Sequence, residues 1–237
     1  EMANGFSSSA TEVAAATLGL WSPAFRPPHG DDPVRSCITG FVFHDARADA
    51  AAPSDVERFL AAGTPPIVFA LGSTAVFNAG DFYEVAARAC ERMGRRGLLL
   101  VGPNENAPKD LPGEVAAFGY APYSTVFPRA AAVVVHGGIG STAQGLRAGV
   151  PTLVVPFAHD QFNNGVRVHA LGVGGTLPRS RVRVESMVSA LRPLVEDHRV
   201  RERAQRLRSE LARERGEGRA LDVIESVVAN ARASASL

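Results

Sequence analysis

From Pro65 onward the chain has a rhythm that few folds can accommodate. Short apolar runs at 67–71, 98–101, 131–135 and 152–155, the last opening on Thr152, with a weaker one near 118–120, alternate with amphipathic segments of helical length. A run that is apolar on both alternations has no solvent face, so it belongs to a strand covered on both sides. Parallel strands need long crossovers, and the intervening segments have that length. The pattern predicts an α/β domain with a doubly wound, Rossmann-like parallel sheet.

Local signals punctuate the helices. Ser54 with Glu57, and Asp81 with Glu84, read as capping boxes, and Gly63 and Gly94 read as the corresponding ends. A third helix is expected from Ser141 to about Gly149, where Pro151 forbids continuation. Past Arg181 the chain is charged and helical, with Val200, Ala204, Leu207 and Leu211 on one stripe.

The chain has 237 residues, 46% hydrophobic and 21% charged, and a formal net charge of +1. That is enough apolar material for a sizeable core and excludes a disordered or disulfide-stapled miniature. The near-zero charge gives no reason to expect a nucleic-acid partner. No apolar run approaches the roughly 20 residues of a membrane span, and no secretory signal is visible, so the expectation is a cytoplasmic chain. Cys37 and Cys90 read as free, buried thiols in a reducing compartment.

Residues 1–33 differ in character. An Ala/Ser-rich stretch precedes Trp21 and a proline-punctuated segment, and the chain starts on Glu1 instead of methionine. The expectation is a fragment: the end of a preceding domain, with its last helix around 11–18, and a linker over 1–33, then the main domain over 34–237.

The chemistry is concentrated between Tyr120 and Gln161. Residues 133–142 read Val-Val-Val-His-Gly-Gly-Ile-Gly-Ser-Thr, a strand entering a glycine loop and then a helix. Glycines let a backbone approach a ligand, and a helix start presents unpaired N–H groups at its positive dipole end. A phosphate fits such a place. Ser141 and Thr142 add hydroxyls, and His136 adds an imidazole. Gly138-x-Gly140-x-x-Ala143 also matches a dinucleotide fingerprint, with Asp160 about 20 residues further on, so an NAD-dependent oxidoreductase is an alternative. Against it, the loop follows several strands instead of opening the domain.

Tyr120-Ala-Pro, His136-Gly-Gly, Gly140-Ser-Thr, Gly149-Val-Pro, Pro156 and Asp160-Gln161 together resemble the donor-binding signature of family-1 glycosyltransferases. These are inverting enzymes of the GT-B fold, and the resemblance is to the bacterial type acting on lipids, sterols, macrolides and other small aglycones. Leu71-Gly-Ser-Thr74 resembles the phosphate-side loop of the same family. The resemblance implies the C-terminal, donor-binding half of such an enzyme, taking a UDP- or dTDP-hexose as substrate with no further cofactor and no metal.

By position, the resemblance puts Tyr120 against the nucleobase and Ala121 at its edge. Gln144 stands where many relatives carry a glutamate that holds the ribose hydroxyls. His136, Ser73, Thr74 and the amides from Gly138 through Gly140, Ser141 and Thr142 would surround the diphosphate and stabilise the leaving group. Asp160 and Gln161 would hold the sugar. Tyr123 replaces the glutamine common in plant relatives. The general base of this family lies in the N-terminal acceptor domain, whose partner is a small-molecule or lipid acceptor. Alone, the chain is expected to bind a nucleotide sugar and transfer it slowly or not at all. A stand-alone subunit of a split enzyme is the alternative within the same chemistry.

Overall fold

The computed structural model describes residues 14–43, 45, 53–102 and 106–235. His44 and residues 11–13 of the expected leading helix lie outside them. The chain divides into two compact units, Glu1–Val42 with Glu210–Leu237, and Phe43–Ser209.

The second unit carries a six-stranded sheet in the order β5-β4-β3-β6-β7-β8. The strands are β3 (Ile67–Ala70), β4 (Gly97–Leu100), β5 (Val115–Phe118), β6 (Ala132–Val135), β7 (Thr152–Val154) and β8 (Gly174–Thr176), and every neighbouring pair is parallel. This is the doubly wound architecture that the apolar rhythm predicts. All residues of β3 and β6 are fully buried, which explains why neither shows an alternating pattern.

Helices cover the sheet. They are α1 (Ser54–Ala61), the four-residue α2 (Gly72–Ala75), α3 (Phe82–Met93), the short α4 (Tyr123–Val126), α5 (Ile139–Ala148), α6 (Gln161–Ala170) and α7 (Val184–Glu196). In α3, Phe82, Tyr83, Ala86, Ala87, Ala89 and Cys90 form one buried stripe. They share a core with Phe69 and Leu99 of the sheet and with Met187 and Leu191 of α7. α8 (His198–Leu211) follows, with Ala204, Leu207 and Leu211 buried as its stripe requires.

Several local expectations are corrected. Neither capping box forms: α1 starts after Pro53 without a side-chain cap, and Asp81 precedes α3 without capping it. Arginines take the carboxylates instead, with Glu57 2.6 Å from Arg129 and Asp81 3.0 Å from Arg179. α5 begins at Ile139, two positions before Ser141, so the glycine loop is shorter than the sequence suggests. The weak run near 118–120 lies at the end of β5, leaving Tyr120 in the loop beyond.

In the first unit β1 (Thr17–Gly19) and β2 (Ser36–Ile38) pair in parallel, so residues 17–18 are strand and not the end of a helix. Between them Asp32 accepts the fork of Arg26, which holds its carboxyl below the usual range. Asp31–Asp32 thus belongs to a turn. α9 (Gly216–Ala235) completes this unit.

Candidate functional site

Strand order reverses direction at β3 and β6. The two strands end level, Ala70 opposite Val135, and the chain leaves them into α2 and α5 respectively. Loops diverging from adjacent strand ends leave a crevice, which is where open α/β sheets bind ligands. A cavity of about 680 Å³ opens there. Its wall includes Ser73, Tyr120, Ala121, His136, Gly138, Gly140, Ser141 and Gln144. Eight of the residues singled out in the sequence are therefore brought into one wall. Thr74, Thr142, Asp160 and Gln161 stand outside it.

His136 follows the last residue of β6, and its imidazole lies against two glycines. A β-carbon at Gly72 would stand 2.5 Å from its Cε1, and one at Gly138 would collide with its Nε2. Gly72 also has φ +70°, so its identity is required twice, by backbone conformation and by the imidazole. Burial lowers the pKa of His136 from its usual value, and the nearby charge of Asp160 opposes this. The ring is thereby kept neutral near pH 7, with one nitrogen able to donate and the other to accept. Ser141 Oγ donates to the Gly138 carbonyl at 3.1 Å and lies 3.5 Å from His136 Nδ1.

α5 has ten residues, and its first turn holds no acidic side chain. The amides of its first residues and its positive dipole end suit an anion, but the Thr142 N–H expected among them donates to the Gly138 carbonyl at 3.0 Å, closing the first helical turn. Thr142 Oγ1 is buried, with no hydrogen-bond partner among the described residues.

Tyr120 lines the same cavity with 64% of its surface exposed, so its ring face is available for stacking. Tyr123, three residues on, is fixed. Its ring stacks on Phe127 at 4.5 Å, and its phenol is pushed up to about 12 by burial.

The Asp160–Gln161 pair opens α6. Gln161 Oε1 accepts the backbone N–H groups of Phe157 at 2.7 Å and Ala158 at 3.0 Å, folding the loop onto the helix start. His159 within that loop has φ +55°, unusual for a residue with a side chain.

Two partners of these residues are missed by sequence reasoning. Asn164, almost fully buried, donates to the Gly137 carbonyl at 2.9 Å and to Asp160 Oδ2 at 2.8 Å, joining the glycine loop to the Asp160 loop. Its i,i+4 spacing from Asp160 was the available signal. Asp45 reaches the cavity wall from far away in sequence, bonded to Gln144 and Arg147. No local pattern announces it.

The dinucleotide alternative needs an acid at the end of the next strand, to meet a ribose there. β7 ends at Val154, with Val155-Pro156 beyond it, and Asp160 belongs to the following helix start. Among the described residues there is no cluster of three or more His, Cys, Asp or Glu placed to hold a metal, and no helix long and apolar enough to cross a membrane.

A parallel sheet with a glycine loop and a helix start at its switch point has the architecture of a nucleotide-binding α/β domain, and the solved structures it resembles are glycosyltransferases of the GT-B fold. Among solved structures, the glycosyltransferase of kitacinnamycin superposes with a TM-score of 0.74 at 28% identity, over 90% of this chain and 55% of that one. The glycosyltransferase VinC, crystallised with dTDP, shares the fold with a TM-score of 0.74 at 21% identity, over 91% of this chain and 52% of that one. Residues 101–225 match the family described as "Erythromycin biosynthesis protein CIII-like, C-terminal domain". The chain belongs to this family of glycosyltransferase C-terminal domains. It is 38% identical to O-mycaminosyltylonolide 6-deoxyallosyltransferase of Streptomyces fradiae over 86% of its own length and 48% of that protein's. It is 34% identical to a sterol 3-beta-glucosyltransferase of Arabidopsis thaliana over 75% of its length and 28% of that protein's. The chain thus spans half or less of the length of these relatives.

Proposed function

We propose that this chain is the donor-binding half of an inverting glycosyltransferase that moves a hexose from a UDP- or dTDP-sugar to a hydroxyl of a small-molecule or lipid acceptor. The observation that carries the reading is the cavity at the switch point, lined by an aromatic platform and by the start of α5 with His136. Tyr120 stacks on the base and Ala121 reads its edge. The amides of Gly138, Gly140 and Ser141, with His136, Ser73 and Thr74, hold the diphosphate, and Thr142, whose own amide is bonded to the Gly138 carbonyl, lies behind them. Gln144 serves the nucleoside sugar, and Asp160 and Gln161 serve the transferred one. The similarity to a macrolide deoxysugar transferase and to sterol glucosyltransferases supports a polycyclic or macrocyclic alcohol as acceptor.

The acceptor oxygen attacks the anomeric carbon while its proton passes to a base on the acceptor half, which is joined in the same chain or supplied as a separate subunit. The bond from that carbon to the β-phosphate oxygen breaks, and its electron pair remains on the phosphate. The charge grows where the helix start, the hydroxyls and the neutral imidazole present donors, and those stabilise the transition state more than the ground state.

Thermal unfolding of this chain with UDP, dTDP, their sugars and NAD tests the reading. Stabilisation by a uridine or thymidine diphosphate, about 2.7 kcal/mol at a hundredfold excess over Kd, is the expected result. Stabilisation by NAD alone would return the site to the dinucleotide reading.

A further inference from the structure

We propose that Asp45 is a binding residue of this cavity, accepting hydrogen bonds from the pentose hydroxyls of the nucleotide; the inference rests on the donor-binding reading above. Asp45 lies 99 residues from Gln144 in sequence, yet Gln144 Nε2 donates to its Oδ1 at 3.1 Å. Arg147 Nη1 stands 2.9 Å from Oδ1 and 2.7 Å from Oδ2. The same guanidinium lies 4.5 Å from the ring centre of Phe43, two residues before Asp45. Gln144 and Arg147 are three apart on α5 and so share one face. One helix face thus recruits a distant carboxylate and fixes its orientation from two directions.

The placement is chemically informative because Asp45 is the one carboxylate in the cavity wall among the described residues. An acid in a pocket for a diphosphate repels its ligand unless it has another task and a neutralising partner. Arg147 supplies the partner. The task follows from what else the wall offers. The start of α5 presents N–H donors for phosphate oxygens, whereas pentose hydroxyls need acceptors, and a carboxylate is acceptor-only and strong. Gln144 lies five residues into α5 from Ile139, about 7.5 Å along its axis. The carboxylate it holds is therefore set back from the phosphate end and still within one ligand's length. Asp45 keeps 27% of its side-chain surface exposed, which leaves it reachable.

The test compares hydroxylated and hydroxyl-free nucleotides on this chain by calorimetry: UDP against 2′,3′-dideoxyuridine diphosphate, with inorganic pyrophosphate as a third probe. Wild type should prefer UDP over the dideoxy compound by about tenfold or more, the worth of a hydrogen bond to a charged acceptor. In Asp45→Ala that preference should fall below about threefold, with pyrophosphate affinity unchanged within about twofold. Asp45→Asn keeps the shape of the wall, guards against a folding defect, and should show a smaller loss of preference. An equal loss of affinity for both nucleotides in the two variants would overturn the proposal, since Asp45 would then act on the fold alone. A wild type that binds both nucleotides equally would overturn it while leaving the donor-binding reading intact. A wild type that binds no nucleotide would overturn both.

Discussion

His136 and Gly72 are in mutual contact across the switch point, so the imidazole occupies the space that any side chain at residue 72 would need. The two residues sit at the ends of adjacent strands, and the contact couples the positions of the two loops that flank the cavity. A crevice formed by two loops holds a ligand only if the loops keep their separation, and here an imidazole sets it.

Gly72→Ala should therefore destabilise the chain by about 2–3 kcal/mol, from a left-handed backbone and a collision with a buried ring. His136→Ala removes the collision and leaves only the backbone strain. In that background the same substitution should cost about 1 kcal/mol. Urea unfolding of the four members of the cycle gives the coupling, and additive effects would show that the contact carries no energy.

The burial of His136 gives a pH dependence with a definite sign. Its folded pKa lies below the unfolded value, so the unfolded chain takes up a proton first as pH falls. The stability from the neutral ring is present above about pH 6.5 and is lost as pH falls through the folded pKa. A nucleotide sugar, whose phosphates do not titrate in this range, brings negative charge to the ring and raises its pKa again. Affinity should then increase as pH falls from 7.5 to 5.5, while the ligand-free melting temperature decreases. His136→Phe should flatten both trends, and an unchanged affinity slope in that variant would assign it to another group.

The framework is legible in the sequence because burial on both faces leaves β3, β4 and β6 as unbroken apolar runs, and β7 as one broken only by Thr152. β8 is Gly-Gly-Thr, half-buried at the sheet edge, and has no apolar signature to read. The glycine loop is legible because strand end, glycines and helix start are contiguous. The helix-start signals at Ser54 and Asp81 mislead for a tertiary reason, since Arg129 and Arg179 compete for the acids from distant parts of the chain. Asp45 illustrates the same limit at the site. Its meeting with Gln144 depends on how the chain enters the domain, which no local spacing encodes.

Asn164 and Gln161 brace the loop between β7 and α6 in different ways, and their variants should separate. Asn164→Ala leaves the Gly137 carbonyl and Asp160 without their buried donor, at a cost of about 2–3 kcal/mol. Because Gly137 belongs to the glycine loop, UDP affinity should fall with stability. Gln161→Ala frees two loop amides that lie nearer the surface and should cost about 1 kcal/mol. It should spare UDP and weaken the full nucleotide sugar. Equal losses for the two ligands would remove Gln161 from the sugar site.

The two cysteines offer a test of the core that needs no ligand. Cys90 is fully buried in α3, its thiol pushed up to about 12 by burial, and its Sγ packs on Gly97 so closely that a β-carbon there would stand 2.8 Å from it. Cys37 in β2 is only half-buried. Alkylation follows the thiolate and its access, so both factors protect Cys90. With iodoacetamide at pH 8, one alkyl group should add quickly, at Cys37, and the second only at the rate of unfolding. Peptide mass spectrometry locates each addition, and urea should accelerate the second without changing the first. Rapid labelling of Cys90 in the native chain would mean that α3 does not pack on β4 as described.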